Sequence, residues 1–243
     1  MIVGSVKENI TIEKRISITP ETAKNLINLG LEVILEKGYG EHLEIPDKEY
    51  EKQKVKFLES ASKVISQSNL LVQLNYLSAD QLKNLKEKTI LVGIFDPSQN
   101  QSKLEETSKN NISIFSLELL PRISRAQSMD VLSSQSNLAG YRSVIESIYE
   151  FEKAVPMMMT AAGTVPAAKV LVIGAGVAGL QAIATAKRLG AIVSATDVRQ
   201  ASKEQVESLG GKFLSVEQSE NLETKGGYAK ETSEQFKKKT GWT

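Results

Sequence analysis

The sequence predicts an α/β protein built from two domains, each around a parallel β-sheet. Short apolar segments alternate with amphipathic ones along the first half of the chain. In the second half, a glycine-rich turn directly follows the apolar segment 169–173, and an acidic residue ends the next apolar segment. Strands that alternate with helices form parallel sheets, because each crossover connection between parallel strands needs a helix.

The first domain begins with an apolar strand at 2–6, followed by a helix with clear boundaries. Thr19 is the expected N-cap, Pro20 the first helical residue, and Gly30 the residue that ends the helix. The remaining strands of this domain are predicted from short apolar runs at 31–35, 70–74, 90–94 and 112–115.

A polar segment at 116–136 separates the two domains, and its serines, arginines and Pro121 are typical of a loop. Apolar residues spaced three to four apart predict a connecting helix at 138–151. The three methionines at 157–159 are expected to fill core space. The predicted divisions are an N-terminal α/β domain at 1–136, a connecting helix and linker at 137–162, and a partial nucleotide-binding domain at 163–243.

The second domain opens with the strand 169–173 and the turn GAGVAG. In a GxGxxG turn, Gly174 permits the tight bend, Gly176 lets the backbone approach a pyrophosphate, and Gly179 lets helix and strand pack closely. The N–H groups at the start of the helix then hold the anion. The other reading is a turn between strand and helix that binds nothing.

Asp197 ends the next strand, 192–196, about 20 residues after the turn, the spacing of a ribose-binding acid. A carboxylate there favours NAD over NADP because it repels a 2′-phosphate. Arg199 leaves an alternative open, since an arginine at this position can accommodate that phosphate. The other elements of this unit are predicted as helices at 180–189 and 202–209 and a strand at 212–216.

Composition excludes several classes of function. Lys and Arg number 30 against 29 Asp and Glu, so the net charge of +1 argues against a nucleic-acid partner. The absence of cysteine excludes a cysteine nucleophile and thiolate metal ligands, and the single histidine, His42, argues against a Ser-His-Asp triad or a histidine-based metal site. No segment has the length and hydropathy of a membrane span or a signal peptide, which predicts a cytoplasmic chain without a direct membrane span.

Four segments carry a specific resemblance: PRISRAQSMD at 121–130, SSQSNLAGYRSVIESIYEF at 133–151, PMMMTAAGTVP at 156–166 and GAGVAGLQAIATAKRLGA at 174–191. They resemble the NAD(H)-binding part of the alpha subunit of proton-translocating NAD(P) transhydrogenases. The N-terminal pattern, with Lys7, Glu8 and RISITP at 15–20, is similar to that of alanine dehydrogenases, which belong to the same fold family.

The resemblance implies hydride transfer between NAD(H) and NADP(H), coupled to proton movement by partner membrane domains. It implies that Arg122, Gln127, Asp130 and Ser133 contact the nicotinamide end of NAD(H). The implied cofactor-binding residues are Gly174, Ala175, Gly176, Val177, Ala178, Gly179, Asp197, Val198, Arg199 and Tyr228, the last at the tip of a mobile loop. The implied partners are NADP(H)-binding and transmembrane components and a second copy of the chain, with the protein peripheral on the inner face of the membrane.

Two departures separate the relatives. In our alignment, Asn75 stands where alanine dehydrogenase has a substrate-binding lysine, and Ile94 stands where it has an acid–base histidine. Oxidation of an amine needs a proton acceptor at the reacting centre, whereas hydride passing between two nicotinamides needs alignment and exclusion of water. The departures favour the transhydrogenase, with an alanine-dehydrogenase-like oxidoreductase as the less favoured reading.

The residues from Lys169 onwards suffice for only the first βαβαβ half of a Rossmann-type domain. The first strand, normally central, is then expected to expose an apolar edge. The stretch 237–243 also departs from the helix that the family pattern predicts. We therefore expect a truncated or gene-split alpha subunit that needs a complementary polypeptide, or else a non-catalytic remnant or NAD-binding partner subunit.

Overall fold

The computed structural model describes residues 1–121 and 123–215, which form two compact units. The first unit is Met1–Met129, and the second begins at Asp130. Each is an α/β unit with a parallel sheet, so the predicted fold class is confirmed.

The first unit is a six-stranded parallel sheet with the order β3-β2-β1-β4-β5-β6. Its strands are β1 (Ile2–Ser5), β2 (Glu32–Glu36), β3 (Lys56–Leu58), β4 (Leu70–Val72), β5 (Ile90–Gly93) and β6 (Ser113–Ser116). Its α-helices are α1 (Pro20–Asn28), α2 (Asp47–Glu51), α3 (Ala61–Gln67), α4 (Ala79–Leu82) and α5 (Pro97–Ser108). Short 3₁₀ helices occupy Glu41–Leu43, Leu117–Leu119 and Ser124–Met129.

Successive residues of β2 point to opposite faces of this sheet. Val33 and Leu35 join one buried apolar cluster with Val3, whereas Ile34 joins the other cluster with Leu71. Both faces are therefore covered, as expected for a parallel sheet with helices on each side. The register places Val3 opposite Val33 on one side and opposite Leu70 on the other.

Helix α1 has the predicted boundaries. The Thr19 side chain accepts a hydrogen bond from the N–H of Thr22 (3.2 Å), and Pro20 is the first residue of the helix. Gly30, just beyond the helix, has a φ of +80°, the left-handed conformation that favours glycine at this position.

The second unit contains a three-stranded parallel sheet with the order β11-β10-β9. Its helices are α6 (Val131–Phe151), α7 (Val177–Arg188) and α8 (Ser202–Ser208). Its strands are β7 (Met158–Thr160), β8 (Gly163–Val165), β9 (Lys169–Ile173), β10 (Ile192–Thr196) and β11 (Lys212–Phe213). The order is that of strands 3-2-1 of a Rossmann-type sheet, which confirms the predicted first half.

Helices α6 and α7 pack closely through Gly140. A Cβ atom added to Gly140 would lie 2.1 Å from the carbonyl oxygen of Ala178, so only glycine permits this approach. Val144 of α6 shares the buried cluster with Ile183 of α7 and Val193 of β10. This packing covers one face of β9 and β10 with helix.

Two predictions in this region are wrong. The segment to residue 136 is not all loop, because Asp130 caps a helix that begins at Val131, seven residues before the predicted start. The methionines do not fill core space: β7 and β8 form an antiparallel hairpin, and the exposed fractions of Met157, Met158 and Met159 are 60%, 47% and 72%. A two-stranded hairpin has little surface of its own to bury large side chains.

In the described ranges, no helix combines the length and apolar character required to cross a bilayer.

Candidate functional site

The turn between β9 and α7 has the geometry that a pyrophosphate-binding turn requires. Gly174 has a φ of +93°, and its N–H donates to the carbonyl oxygen of Thr196 (2.8 Å). A Cβ atom on Gly179 would lie 1.8 Å from the carbonyl oxygen of Gly174, so the helix is seated directly on the turn. These two glycines therefore serve the fold, the first by its conformation and the second by its close contact.

Gly176 differs from its two neighbours in the motif. Its φ of −77° suits any residue, and the nearest atom to an added Cβ is Nη2 of Arg199 at 4.0 Å. The protein itself thus gives no packing reason for glycine at this position. Open space over an exposed backbone at the start of a helix fits the close approach of an anionic group.

Asp197 lies at the carboxyl end of β10, beside this turn. Its Oδ2 accepts from the N–H of Ala175 (2.7 Å), which fixes the carboxylate next to the motif. Its Oδ1 accepts from the backbone N–H (2.7 Å) and from Nε (2.9 Å) of Arg199. The predicted spacing in sequence has therefore become a direct contact between the acid and the glycine turn.

The Asp197 carboxylate is ionised in this setting. Burial alone would raise its pKa, but hydrogen bonds from the Arg199 side chain, the Arg199 N–H and the Ala175 N–H lower the pKa below the usual value. The side chain is only 6% exposed, so these partners compensate the cost of burying its charge.

The other predicted cofactor-binding residues lie in the turn or next to Asp197 in the chain. Ala175 is buried, Val177 is exposed, and Ala178 and Val198 are half-buried. The N–H of Leu180 donates to the carbonyl oxygen of Gly176 (2.8 Å), which makes the first hydrogen bond of α7. The preceding N–H groups have no acceptor within a helix and point to where an anion would lie.

The residues predicted at the nicotinamide end lie in two different elements. Gln127 is exposed on the 3₁₀ helix Ser124–Met129. Asp130 is the N-cap of α6: its Oδ1 accepts from the N–H of Ser133 (2.9 Å) and its Oδ2 from the Ser133 hydroxyl (2.6 Å). Arg122 and Tyr228 lie outside the described residues.

A carboxylate at the carboxyl ends of β1 and β4 was not assigned a role from sequence. Oε1 of Glu8 accepts from the N–H of Leu74 (2.7 Å) and the N–H of Asn75 (3.3 Å), and Oε2 accepts from Nδ2 of Asn75 (3.2 Å). The same Oε1 accepts from Nε2 of Gln73 at 3.3 Å. Asn75 is therefore hydrogen-bonded to a carboxylate of the first unit.

A buried hydrogen-bond network lies next to the Glu8 carboxylate, because Gln73 contacts both. The Ser5 hydroxyl is 2.8 Å from the Tyr39 hydroxyl and donates to Oε1 of Gln73 (2.9 Å), which also accepts from the N–H of Val6 (2.8 Å). The side chains of Ser5, Tyr39 and Gln73 are almost wholly buried. Ser5 and Gln73 are polar residues near the carboxyl ends of the predicted strands 2–6 and 70–74, and this pattern is the sequence signal for the network.

Arg15 forms a two-pronged ion pair with Glu13 nearby in the sequence. Its Nε donates to Oε1 (2.8 Å) and its Nη2 to Oε2 (2.6 Å). The side-chain hydrogen bond from Arg15 is the main reason that the pKa of Glu13 lies below its usual value. The Arg15 side chain is 50% exposed, so this ion pair lies at the surface of the first unit.

A parallel sheet, a GxGxxG turn at the end of its first strand and an acid at the end of the next define a nucleotide-binding fold of the Rossmann class. Family models narrow this class. The model "Alanine dehydrogenase/PNT, N-terminal domain" matches residues 4–139, and its C-terminal counterpart matches residues 143–238. The chain therefore belongs to the alanine dehydrogenase/PNT family.

Among curated relatives, an NAD(P) transhydrogenase subunit alpha polypeptide of Rhodospirillum rubrum is 50% identical over 246 residues. The match covers 98% of this chain and 64% of that protein. The alpha subunit of Haemophilus influenzae is 40% identical, with 98% of this chain and 46% of that protein covered. An alanine dehydrogenase of Methanococcus maripaludis is 26% identical over 82% of this chain and 53% of its own length.

Solved structures agree with these relatives. The transhydrogenase from Sinorhizobium meliloti superposes with a TM-score of 0.85 at 49% identity, covering 88% of this chain and 64% of that one. An L-alanine dehydrogenase shares the fold, with a TM-score of 0.75 at 20% identity and 88% and 60% coverage. The chain spans 64% of the length of the two most similar transhydrogenases named here.

Proposed function

We propose that this chain is the NAD(H)-binding component of a proton-translocating NAD(P) transhydrogenase. The observation that carries the proposal is the open space over Gly176, beside a carboxylate that contacts the glycine turn. Relatives of this chain are named transhydrogenase alpha subunits, which supports the same assignment. Bound NAD(H) supplies the hydride chemistry, and the chain binds, orients and shields it.

Different residues bind different parts of the nucleotide. The N–H groups at the start of α7 hold the pyrophosphate, and Asp197 accepts hydrogen bonds from the adenosine ribose. Arg122, Gln127, Asp130 and Ser133 orient the nicotinamide, and Tyr228 helps to exclude water. NADP(H) binds to a partner component, so the chain itself needs no second nucleotide site.

An alanine-dehydrogenase-like activity is the weaker candidate, because the first unit lacks the groups for it at the aligned positions. Asn75 carries no charge and is hydrogen-bonded to Glu8, which would repel a substrate carboxylate. Ile94 cannot accept a proton from an amine. Alanine-dependent formation of NADH by the purified chain would favour this second function.

A complementary polypeptide is proposed to dock at the free edge of β9. Within the part of the chain that the structure describes, β9 pairs with β10 on one side and with no strand on the other. An apolar groove of about 390 Å³ lies along this edge, between β9 and residues such as Ile148 and Phe151 of α6. Leu171 and Ile173 of β9 are 56% and 62% exposed on one face of the sheet, so a polypeptide that pairs with this edge and also covers that face would bury them.

A homodimer is the second proposed assembly, and the β7–β8 hairpin is its candidate contact. Met158, Met159 and Val165 expose apolar side chains on this hairpin. Replacing Met158 and Met159 by serine should lower the mass measured by light scattering from that of a dimer to that of a monomer. The matched control is Met129→Ser, also at an exposed methionine, which should leave the mass unchanged.

The test of the proposed function is calorimetric titration of NADH into the purified chain, alone and with a polypeptide matching the remaining third of the Rhodospirillum rubrum relative. We expect weak saturable binding alone and at least ~10-fold tighter binding in the mixture. Leu171→Lys should remove the gain, whereas Leu29→Lys, at an exposed leucine of the first unit, should not. Equal affinity with and without the polypeptide would reject the docking site, and no binding in either case would reject the function.

In the complete assembly, we propose that the chain is peripheral on the inner face of the membrane. Its association with the membrane then depends on the transmembrane components, since the chain contributes binding of NAD(H) rather than a proton path. Membranes that contain the assembled complex should retain the chain, and membranes that lack the transmembrane components should not.

A further inference from the structure

Helices α6 and α7 lie side by side and run in the same direction. A Cβ atom added to Gly140 of α6 would lie 2.1 Å from the carbonyl oxygen of Ala178, in the first turn of α7. One turn further along each helix, Val144 and Ala182 belong to the same buried cluster and line the same groove. Because residues later in α6 meet residues later in α7, the two helices are parallel.

Helix α6 begins well before α7 in this shared direction. Gly140 lies opposite the first turn of α7, whereas α6 itself begins at Val131. At the rise of an α-helix, about 12 Å of α6, or roughly two turns, therefore extends past the first residue of α7. The N–H groups at the start of α7 point in the same direction, towards an anion beyond the helix. The first two turns of α6 thus flank the space of a nucleotide whose pyrophosphate is bound at the glycine turn.

Ser133 lies on the face of α6 that carries Gly140. The two residues are separated by almost two full turns, so they differ by about 20° around the helix and by about 10 Å along it. The N–H and the hydroxyl of Ser133 both donate to the Asp130 carboxylate, at 2.9 and 2.6 Å. The contact at Gly140 therefore fixes the distance and the direction of Ser133 and Asp130 from the glycine turn. That distance is comparable with the length of the ribose and nicotinamide ring that follow the pyrophosphate in NAD(H).

The contact at Gly140 also allows a single register of α6 on α7. Gly140 is the only glycine of α6, so each of its neighbours in the helix carries a Cβ atom. The atom that an added Cβ would meet is a backbone oxygen, which cannot turn aside as a side chain can. A slide of α6 by one residue, or a rotation about its axis, would place a Cβ atom against this carbonyl group.

We propose that Gly140 is a positioning residue: its contact with Ala178 sets the register of α6 on α7, and the first two turns of α6 then set the distance from the pyrophosphate to the nicotinamide. The inference rests on the proposed function, in which Asp130 and Ser133 orient the nicotinamide. Gly140 acts through these two residues and not by contact with the nucleotide. Its loss should weaken the binding of the nicotinamide end and leave the binding of the ADP part unchanged.

The experiment compares the affinities of NADH and of ADP-ribose, which lacks the nicotinamide, by calorimetric titration of the full chain and its variants. One variant has an alanine inserted between Ser136 and Asn137, which moves the start of α6 by about 1.5 Å and about 100° relative to the contact. The matched control has an alanine inserted between Lys153 and Ala154, after the end of α6. We expect the native chain and the control to prefer NADH by at least ~5-fold, and the first variant to bind both ligands with the same affinity.

Gly140→Ala keeps the length of α6 and tests the contact itself. Its preference for NADH over ADP-ribose should be at least ~3-fold smaller than that of the native chain, whereas Ala139→Gly, which also weakens the helix, should keep the native preference. Ser133→Ala completes a double-mutant cycle. If Gly140 acts through Ser133, the double variant should have no smaller preference than the more affected single variant. Thermal unfolding identifies the folded variants, and Gly140→Ala decides the test if the insertion unfolds the chain.

The outcomes distinguish this inference from the proposed function. A native preference for NADH in the folded insertion variant or in Gly140→Ala would overturn the inference. An equal loss of affinity for both ligands would overturn it too, because it would show a purely structural role, and so would additive losses in the cycle. Equal binding of NADH and ADP-ribose by the native chain would overturn it while leaving NAD(H) binding intact. Binding of neither ligand by the native chain would reject the proposed function together with the inference.

Discussion

Gly176→Ala should separate nucleotide binding from folding. The added methyl group meets no atom closer than Nη2 of Arg199 at 4.0 Å, and the φ of −77° suits alanine. Gly176 is the N-cap of α7, where alanine is less favourable than glycine, so we expect the free energy of unfolding to fall by at most about 1 kcal/mol. A pyrophosphate resting against this backbone must instead move away by the thickness of a methyl group.

The expected loss of affinity follows from that displacement. Forcing an extra methyl group into a close contact costs about 1–3 kcal/mol, which corresponds to about 5- to 150-fold weaker binding of NADH. Calorimetric titration measures the affinity, and thermal unfolding without nucleotide measures the stability. The titrations use the conditions that give measurable binding by the native chain.

Gly179→Ala is the matched control, since it adds the same methyl group three residues away. Its Cβ would lie 1.8 Å from the carbonyl oxygen of Gly174, a backbone atom that cannot move aside cheaply. This variant should lose about 1–3 kcal/mol of stability without nucleotide and unfold several degrees lower. Binding of NADH by Gly176→Ala as tight as that of the native chain, or unfolding as early as that of Gly179→Ala, would contradict the role of Gly176.

Three further variants test the rest of the structure. Gly140→Ala should destabilise the second unit by about 1–3 kcal/mol despite the higher helix propensity of alanine, because the added methyl group meets the carbonyl oxygen of Ala178. Denaturant unfolding measures this loss. The control is Ala139→Gly at the neighbouring exposed position, which should lose about 1 kcal/mol. Gln73→Leu should cost about 1–3 kcal/mol in the same assay, because it removes the acceptor of the buried Val6 N–H and one of the partners of the Ser5 hydroxyl. An unchanged midpoint would contradict the network. The pKa of Asp197 is lower in the folded than in the unfolded chain, so the stability that its carboxylate contributes is complete above about pH 4 and is lost as the pH falls through the folded-state pKa. Asp197→Asn should flatten that part of the profile of Tm against pH. An unchanged profile would contradict the lowered pKa of Asp197.

The sequence predicts the glycine turn and its acid well, because the determinants are local. Glycine at position 174 needs its positive φ, and the position of Asp197 follows from the length of one helix and one strand. The strand β3 (Lys56–Leu58) was missed because three residues with a charged first member carry too little apolar pattern. Its place in the sheet depends on pairing with β2, which is a tertiary contact.

Other features depended on side chains that the pattern cannot orient. The start of α6 was missed because serines at 133, 134 and 136 are typical of loops, although Asp130 caps the helix through two bonds to Ser133. The methionines of β7 were expected in the core because hydropathy does not distinguish core from an exposed hairpin. The four hydrogen bonds that Asp197 accepts from Ala175 and Arg199 depend on side-chain positions that sequence spacing does not contain.

The most direct test of the central claim, that this chain holds NAD(H) on its glycine turn, is a saturation-transfer measurement of NADH with the purified chain. We expect transfer to the protons of the adenosine ribose and nicotinamide, competition by NAD, and a weaker signal in Gly176→Ala at the same NADH concentration while the fold is retained. Equal signals from the native chain and Gly176→Ala, or no signal from the native chain with the complementary polypeptide present, would contradict it.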